Sequence, residues 1–296
     1  MTLFGNLLKQ DCLDELINEI ISKNGDVEIK ALGPKSKNHC YIICIQQEPT
    51  FVLKWTKYAR KEVQALQFCR SNGLYETLTP LDFGENFFVT EYIKNIKEFS
   101  SPFAYIEDLA RRHAIQLISG LDYNALLQDK TFVNTNARKT ISRVERHTKI
   151  VNNFYSDVGR LIRFLEKEEC TSQPEFKVLV HGDAHSKNIV YSNDKVIYLD
   201  FELSCIERPT WDLARIIFGL DCGDVDPLLD CYTVNLKKHC GNKIKLEHEE
   251  SKAMAYADFI VKFTNAGIGV QQHEDYKDKV ERHLTPIREH FKRILG

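Results

Sequence analysis

Two short apolar runs restrict this chain more than any other feature, because each ends on a carboxylate. The first, residues 178–180, closes in His181-Gly182-Asp183, and the second, residues 196–199, closes in Asp200. Between them, Ile189-Val190-Tyr191 is joined to the second run by the turn signal Asn193-Asp194. Short strands at these positions hold Asp183 and Asp200 at the ends of rigid elements, facing one cleft. Asn188 follows Asp183 by five residues, far enough for the loop to fold back toward Asp200.

That trio has a definite chemical use. One carboxylate accepts the proton of an attacking hydroxyl. A second carboxylate and an amide oxygen hold Mg²⁺ against phosphate oxygens, with water and substrate completing its shell. Asp183 as base, with Asn188 and Asp200 as ligands, meets the demand. Taken singly, each residue is equally at home in a turn or a cap. The ordered set is what points to chemistry.

The rest of the chain divides by hydrophobic period. Residues 7–21 carry Leu8, Cys12, Leu16 and Ile20 at helical spacing. After the turn signal at 23–26, three strand-like runs follow: VEIKAL (27–32), YIICI (41–45) and FVLKW (51–55). Residues 46–50, containing Pro49, separate the last two. ARKEVQALQFCRSNG (59–73) reads as a helix stopped by Gly73, and FFVTEYI (87–93) as another strand. Beyond residue 101 helical spacing dominates, best at 105–118 and 152–167, then again at 211–220, 227–238, 247–263 and 276–294. Residues 131–148 are polar and basic with poor periodicity, a connection or a solvent-facing helix. The expected class is therefore α+β and bilobal, with a strand-rich first lobe at 1–93 and a larger helical lobe at 94–296.

Lys plus Arg number 40 against 42 for Asp plus Glu, so net charge argues for neither nucleic acid nor an anionic membrane as partner. No apolar run approaches the length that spans a bilayer. Asp11, Asp14 and Glu15 arrive too early for a secretory leader. The nine cysteines are dispersed, with no C-x-x-C pair, and fit reduced thiols in a cytoplasmic protein. Cys231 and Cys240 match no zinc spacing.

The stretch HGDAHSKN (181–188), followed by LDFE (199–202) and WDLA (211–214), resembles the aminoglycoside phosphotransferase and choline kinase family. The resemblance runs over roughly residues 27–263 and implies a protein-kinase-like fold. It implies Asp183 as catalytic base, Asn188 and Asp200 as Mg²⁺ ligands, and Asp212 as the helix-start aspartate that buttresses the catalytic loop. The same Asp212 also suits the cap of the helix it opens. His181 resembles a residue that braces the loop. His185 lies within it, and Glu202 is a candidate for a second metal or a cationic acceptor.

The nucleotide side follows from the same resemblance. Lys54 interrupts an apolar strand, where a lysine can snorkel to water. It also occupies the place of the family's ATP-phosphate lysine, with Glu62 eight residues later as its ion-pair partner. Neither G-x-G-x-x-G nor G-x-x-x-x-G-K-[ST] occurs. The candidate phosphate loop is 33–38, with Ser36 and Asn38 facing phosphate and Lys35 and Lys37 neutralising it or facing solvent. Backbone groups of Glu91, Tyr92 and Ile93 are expected to receive the nucleotide base, ATP or GTP.

The expected reaction moves the γ-phosphoryl group to a hydroxyl of a small molecule: an aminoglycoside, an amino sugar or an amino alcohol such as choline. Candidate acceptor contacts are Asp221, Asp224, Asp226, Tyr256, Asp258, Phe259 and Phe263. Acids there suit amino groups and aromatics suit a quaternary ammonium. Aromatics at helical spacing serve packing equally well. A protein kinase is disfavoured by the lack of A-P-E after DFE. A noncatalytic nucleotide-binding protein is disfavoured by the presence of Lys54, Asp183, Asn188 and Asp200 together.

Overall fold

The computed structural model describes residues 13–24, 26–32, 39–97, 101–133, 177–185, 187–213, 216 and 226–241. The chain divides into two compact units. One comprises Met1–Phe99 with Asn188–Ser204, the other Ser100–Lys187 with Cys205–Gly296.

In the first unit, α1 (Leu13–Asn24) precedes β1 (Val27–Ala31), β2 (His39–Ile45) and β3 (Glu48–Trp55). Next come α2 (Ala59–Ser71), β4 (Pro80–Phe83) and β5 (Phe87–Glu91). The strands form one antiparallel sheet in the order β1-β2-β3-β5-β4. Its two faces do different things. Ile43, Leu53, Phe87 and Val89 point to one face and form a core with Leu16 and Ile20 of α1. That is the expected helical stripe, of which Leu8 and Cys12 lie outside the described residues. The strand period of two sends their neighbours to the opposite face, so Cys40, Lys54 and Phe88 stand in one cross-strand row there.

The connection expected over 46–50 is shorter than its composition suggests. Gln46 and Gln47 alone make the turn, both at positive φ (50° and 68°), which matches the twist of a tight hairpin. Pro49 lies within β3 at a register shift, where the ladder is already interrupted. The strand β4, PLDF, was not expected. Its Pro and Asp read as loop, and Leu81 and Phe83 are exposed.

The hairpin β7 (Ile189–Ser192) and β8 (Lys195–Tyr198) also belongs to the first unit. Its turn is the expected Asn193-Asp194, both residues at positive φ. Tyr198 N–H donates to Glu76 O at 3.0 Å, and Lys97 N–H to Tyr191 O at 2.9 Å. Tyr75 packs edge-on against Tyr198 and Phe201. These ties fix the hairpin, and hence Asp200 just beyond it, relative to the sheet that carries Lys54.

The second unit contains α3 (Pro102–Ser119), α4 (Asn124–Leu127), β6 (Val178–Val180), β9 (Cys205–Glu207) and α5 (Asp226–Cys240). Helix α3 opens with Pro at its first position and stops at Gly120, which is left-handed at φ 62°. It packs along α5. The fully buried β6 pairs antiparallel with β9, and a helical turn begins at Thr210. The helices expected at 152–167, 247–263 and 276–294 lie outside the described residues, as does most of 131–148; Phe132, in a 3₁₀ turn, is buried. The six described cysteines are free thiols.

Candidate functional site

The first group of residues gathers around Lys54. Burial of β3 forces its ammonium to find partners inside the protein, since an unpaired buried charge is costly. Lys54 Nζ lies 2.6 Å from Glu62 Oε1 and 2.8 Å from Asp200 Oδ1. These three residues come from β3, from α2 and from the turn after β8, the last 146 positions downstream of Lys54. Burial pulls the Lys54 ammonium down. The facing carboxylates of Glu62 and Asp200 outweigh it and hold the group above its ordinary value. Glu62 is almost completely enclosed, at 1% side-chain exposure, and burial pushes its carboxyl up to about 7 against the pull of Lys54. Asp200 remains one-third open. The expected Lys54–Glu62 pair is therefore present, and Asp200 joins it.

Asp200 itself is left-handed, at φ 63° and ψ 68°, a conformation that costs energy for a non-glycine residue. It turns the chain from β8 into a 3₁₀ turn at Phe201–Leu203. Asn188 stands at the other end of the same hairpin, where its carbonyl accepts the Leu199 N–H at 2.8 Å. The two expected metal ligands thus flank one short ladder. Ligand oxygens of Glu62, Asp200 and Glu202 lie within 4.8 Å of one another. An all-oxygen, carboxylate-rich set suits a hard divalent cation such as Mg²⁺.

Glu91 ends β5, followed by Tyr92 and Ile93. Tyr92 N–H is already committed to Thr50 O at 2.9 Å. Beyond β5, which pairs with β4 on its other edge, the chain continues into Ile93. Ser36, with Lys35, Lys37 and Asn38, lies outside the described residues. So do Asp221, Asp224, Tyr256, Asp258, Phe259 and Phe263. Asp226 is exposed at the start of α5.

The second group, in the other unit, is the loop after β6. Asp212 is fully buried and accepts two backbone bonds, His181 N–H to Oδ2 at 2.6 Å and Gly182 N–H to Oδ1 at 2.7 Å. Gly182 is left-handed at φ 82°, where a side chain would be strained. The Asp183 N–H donates to His181 Nδ1 at 3.2 Å. Asp183 is thus carried on a loop whose preceding amides are clamped. His185 Nδ1 accepts the Lys187 N–H at 3.1 Å, which places the ring proton on Nε2, 3.4 Å from Asp183 Oδ2.

Behind this loop lies a contact that sequence reasoning missed. The ring of His113, on α3, has Nδ1 at 2.7 Å from the Tyr232 hydroxyl of α5 and Nε2 at 3.6 Å from Asp212 Oδ2. Burial, with the Asp212 charge, keeps the Tyr232 phenol well above its ordinary value, so it stays protonated beside the imidazole. Two residues on separate helices, 119 positions apart, leave no local spacing signal.

The sequence profile of the ecdysteroid kinase-like family matches residues 101–263, more than half of the chain. No curated protein sequence matches. Solved structures with the same fold include the ADP-bound aminoglycoside phosphotransferase APH(2'')-Ib, at 15% identity and TM-score 0.61, covering 93% of this chain and 96% of that one. The choline kinase of Cryptosporidium parvum Iowa II is 13% identical, with a TM-score of 0.61 and 95% and 96% of the two chains covered. The ethanolamine kinase of Plasmodium vivax is 13% identical, with a TM-score of 0.62 over 95% and 91%. The fold is that of the protein-kinase-like small-molecule kinases, as the motifs implied.

Proposed function

The chain belongs to the ecdysteroid kinase-like family, and from that premise we propose that it is a Mg²⁺-dependent phosphotransferase that moves the γ-phosphoryl group of a nucleotide to a hydroxyl of a small molecule. The observation that carries this reading is the Lys54 ammonium held at 2.6 and 2.8 Å from Glu62 and Asp200. A cation buried between two carboxylates, on the sheet face opposite the α1 core, supports a phosphate-binding role for Lys54.

Residues 1–93 bind the nucleotide in this account, and 94–296 supply the catalytic loop and the acceptor site. Asn188 and Asp200 return to the nucleotide side on the β7–β8 hairpin, which packs with the first unit. Lys54 fixes phosphate, and Glu62 orients Lys54. Backbone groups of Glu91, Tyr92 and Ile93 take the base, and Ser36 contacts phosphate from the 33–38 loop. Asn188 and Asp200 would hold Mg²⁺, with Glu202 beside them, and the bound ion would supply positive charge against the phosphates. Asp183 orients the acceptor hydroxyl and accepts its proton. His181 and Asp212 keep that carboxylate in position. Most of the rate enhancement comes from alignment and charge stabilisation.

The family's name adds the hydroxyls of ecdysteroid-type sterols to the acceptors to be compared, beside the aminoglycosides, choline and ethanolamine of the structural neighbours. The test is incubation with Mg²⁺ and ATP or GTP across those acceptors, with mass spectrometry for an added phosphoryl group. One strongly phosphorylated acceptor supports the reading. Folded protein that neither hydrolyses nucleotide nor modifies any acceptor refutes it.

A further inference from the structure

Helix α2 carries a second buried cation directly beside Glu62. Lys61 is only 9% exposed, although a lysine on a helix ordinarily extends its head to water. Its ammonium turns inward and donates to the backbone carbonyl of Glu202 at 2.9 Å, 141 residues away. That carbonyl belongs to the 3₁₀ turn that follows the left-handed Asp200.

We propose that Lys61 is a positioning residue that latches the Asp200 turn to α2 through its main chain. This rests on the proposed role of Asp200 as Mg²⁺ ligand. Two of the ties between the helix and the turn differ in kind. One runs through side chains, from Glu62 to Lys54 to Asp200. The other runs from Lys61 to the Glu202 carbonyl and does not involve Lys54. The difference matters when a nucleotide arrives. Phosphate and metal compete for Lys54 and for Asp200, so the side-chain tie is the one that ligand binding rearranges. The Lys61 bond ends on a neutral carbonyl, which has no affinity for phosphate. It holds the strained turn while the carboxylates change partners. Its acceptor is also the backbone of Glu202, whose carboxylate lies with those of Glu62 and Asp200. A shift of the turn displaces two of those three carboxylates at once, and a ligand set tolerates about half an ångström of displacement.

The test is binding rather than turnover. A fluorescent nucleotide analogue is titrated with Mg²⁺ in the parent protein and in Lys61→Met, Lys61→Gln, Lys61→Arg and Asp200→Ala. Lys61→Met and Lys61→Gln are expected to raise the half-saturating Mg²⁺ concentration roughly tenfold, the scale of one hydrogen bond from a charged donor. Binding in excess chelator stays unchanged, and Lys61→Arg restores most of the Mg²⁺ response. A purely structural lysine lowers the bound amplitude through loss of folded protein and leaves the midpoint where it was. Parent-like midpoints in Lys61→Met and Lys61→Gln, with Asp200→Ala shifted, overturn the latch alone. An unshifted midpoint in Asp200→Ala overturns the metal assignment, and the latch falls with it.

Discussion

Asp212→Asn isolates the clamp on the catalytic loop, because the substitution keeps size and removes charge. The native carboxylate accepts His181 N–H on one oxygen and Gly182 N–H on the other, at 2.6 and 2.7 Å, with no solvent exposure. An amide has one acceptor. Its NH₂ must then face one of the two backbone N–H groups, donor against donor. A buried donor left without a partner costs about 1–3 kcal/mol. The surviving bond also loses its charge assistance, worth about 1 kcal/mol more. The expected destabilisation is thus about 2–4 kcal/mol. The chain offers a local reporter: its two tryptophans are Trp55 in the first unit and Trp211 in the second, the latter adjacent to Asp212 and buried. In a Trp55→Phe background, urea unfolding followed by Trp211 fluorescence is expected to shift its midpoint down by about 1 M or more, given usual denaturant slopes. A shift worth less than 0.5 kcal/mol, on the order of an ordinary surface substitution, refutes the clamp.

Two further outcomes follow from the same geometry. The Glu62 carboxyl is raised from 4.5 to about 7 by burial. A raised acid binds its proton more tightly in the folded state, so its contribution to stability is complete below pH 4.5 and is lost as pH rises through 7. That contribution is on the order of 3 kcal/mol. In a Trp211→Phe background, unfolding followed by Trp55 should show the parent losing stability relative to Glu62→Gln across that window, and parallel pH curves contradict it. His185→Gln keeps a donor near the place of Nε2, whereas His185→Asn does not reach it. Transfer is expected to survive in the Gln variant and to fall roughly tenfold or more in the Asn variant, consistent with a lost oriented hydrogen bond to Asp183; equal rates argue against His185 holding that carboxylate.

Local pattern carried much of this fold and site because those parts depend on period and spacing. The alternation of β3 put Lys54 on one face of the sheet, and helical spacing in α2 put Glu62 within its reach. Asn193-Asp194 marked the β7–β8 turn because those side chains tolerate positive φ. What escaped has equally physical causes. Gln46-Gln47 lack the glycine or asparagine that signals a two-residue hairpin, yet they adopt the same positive φ. Lys61 looks like an ordinary helix-surface lysine, and its partner is a backbone carbonyl, which no residue code displays. The His113–Tyr232–Asp212 contact is assembled by the packing of α3 on α5 and has no footprint in local spacing.

In the proposed reaction Asp183 takes the proton of an acceptor hydroxyl while other residues hold the nucleotide. The most direct test is Asp183→Asn, comparing nucleotide affinity with the rate of γ-phosphoryl transfer to the best acceptor. Affinity is expected to stay unchanged and the transfer rate to fall by about 10²–10⁴, the usual contribution of a general base. Transfer at the parental rate from Asp183→Asn contradicts that role.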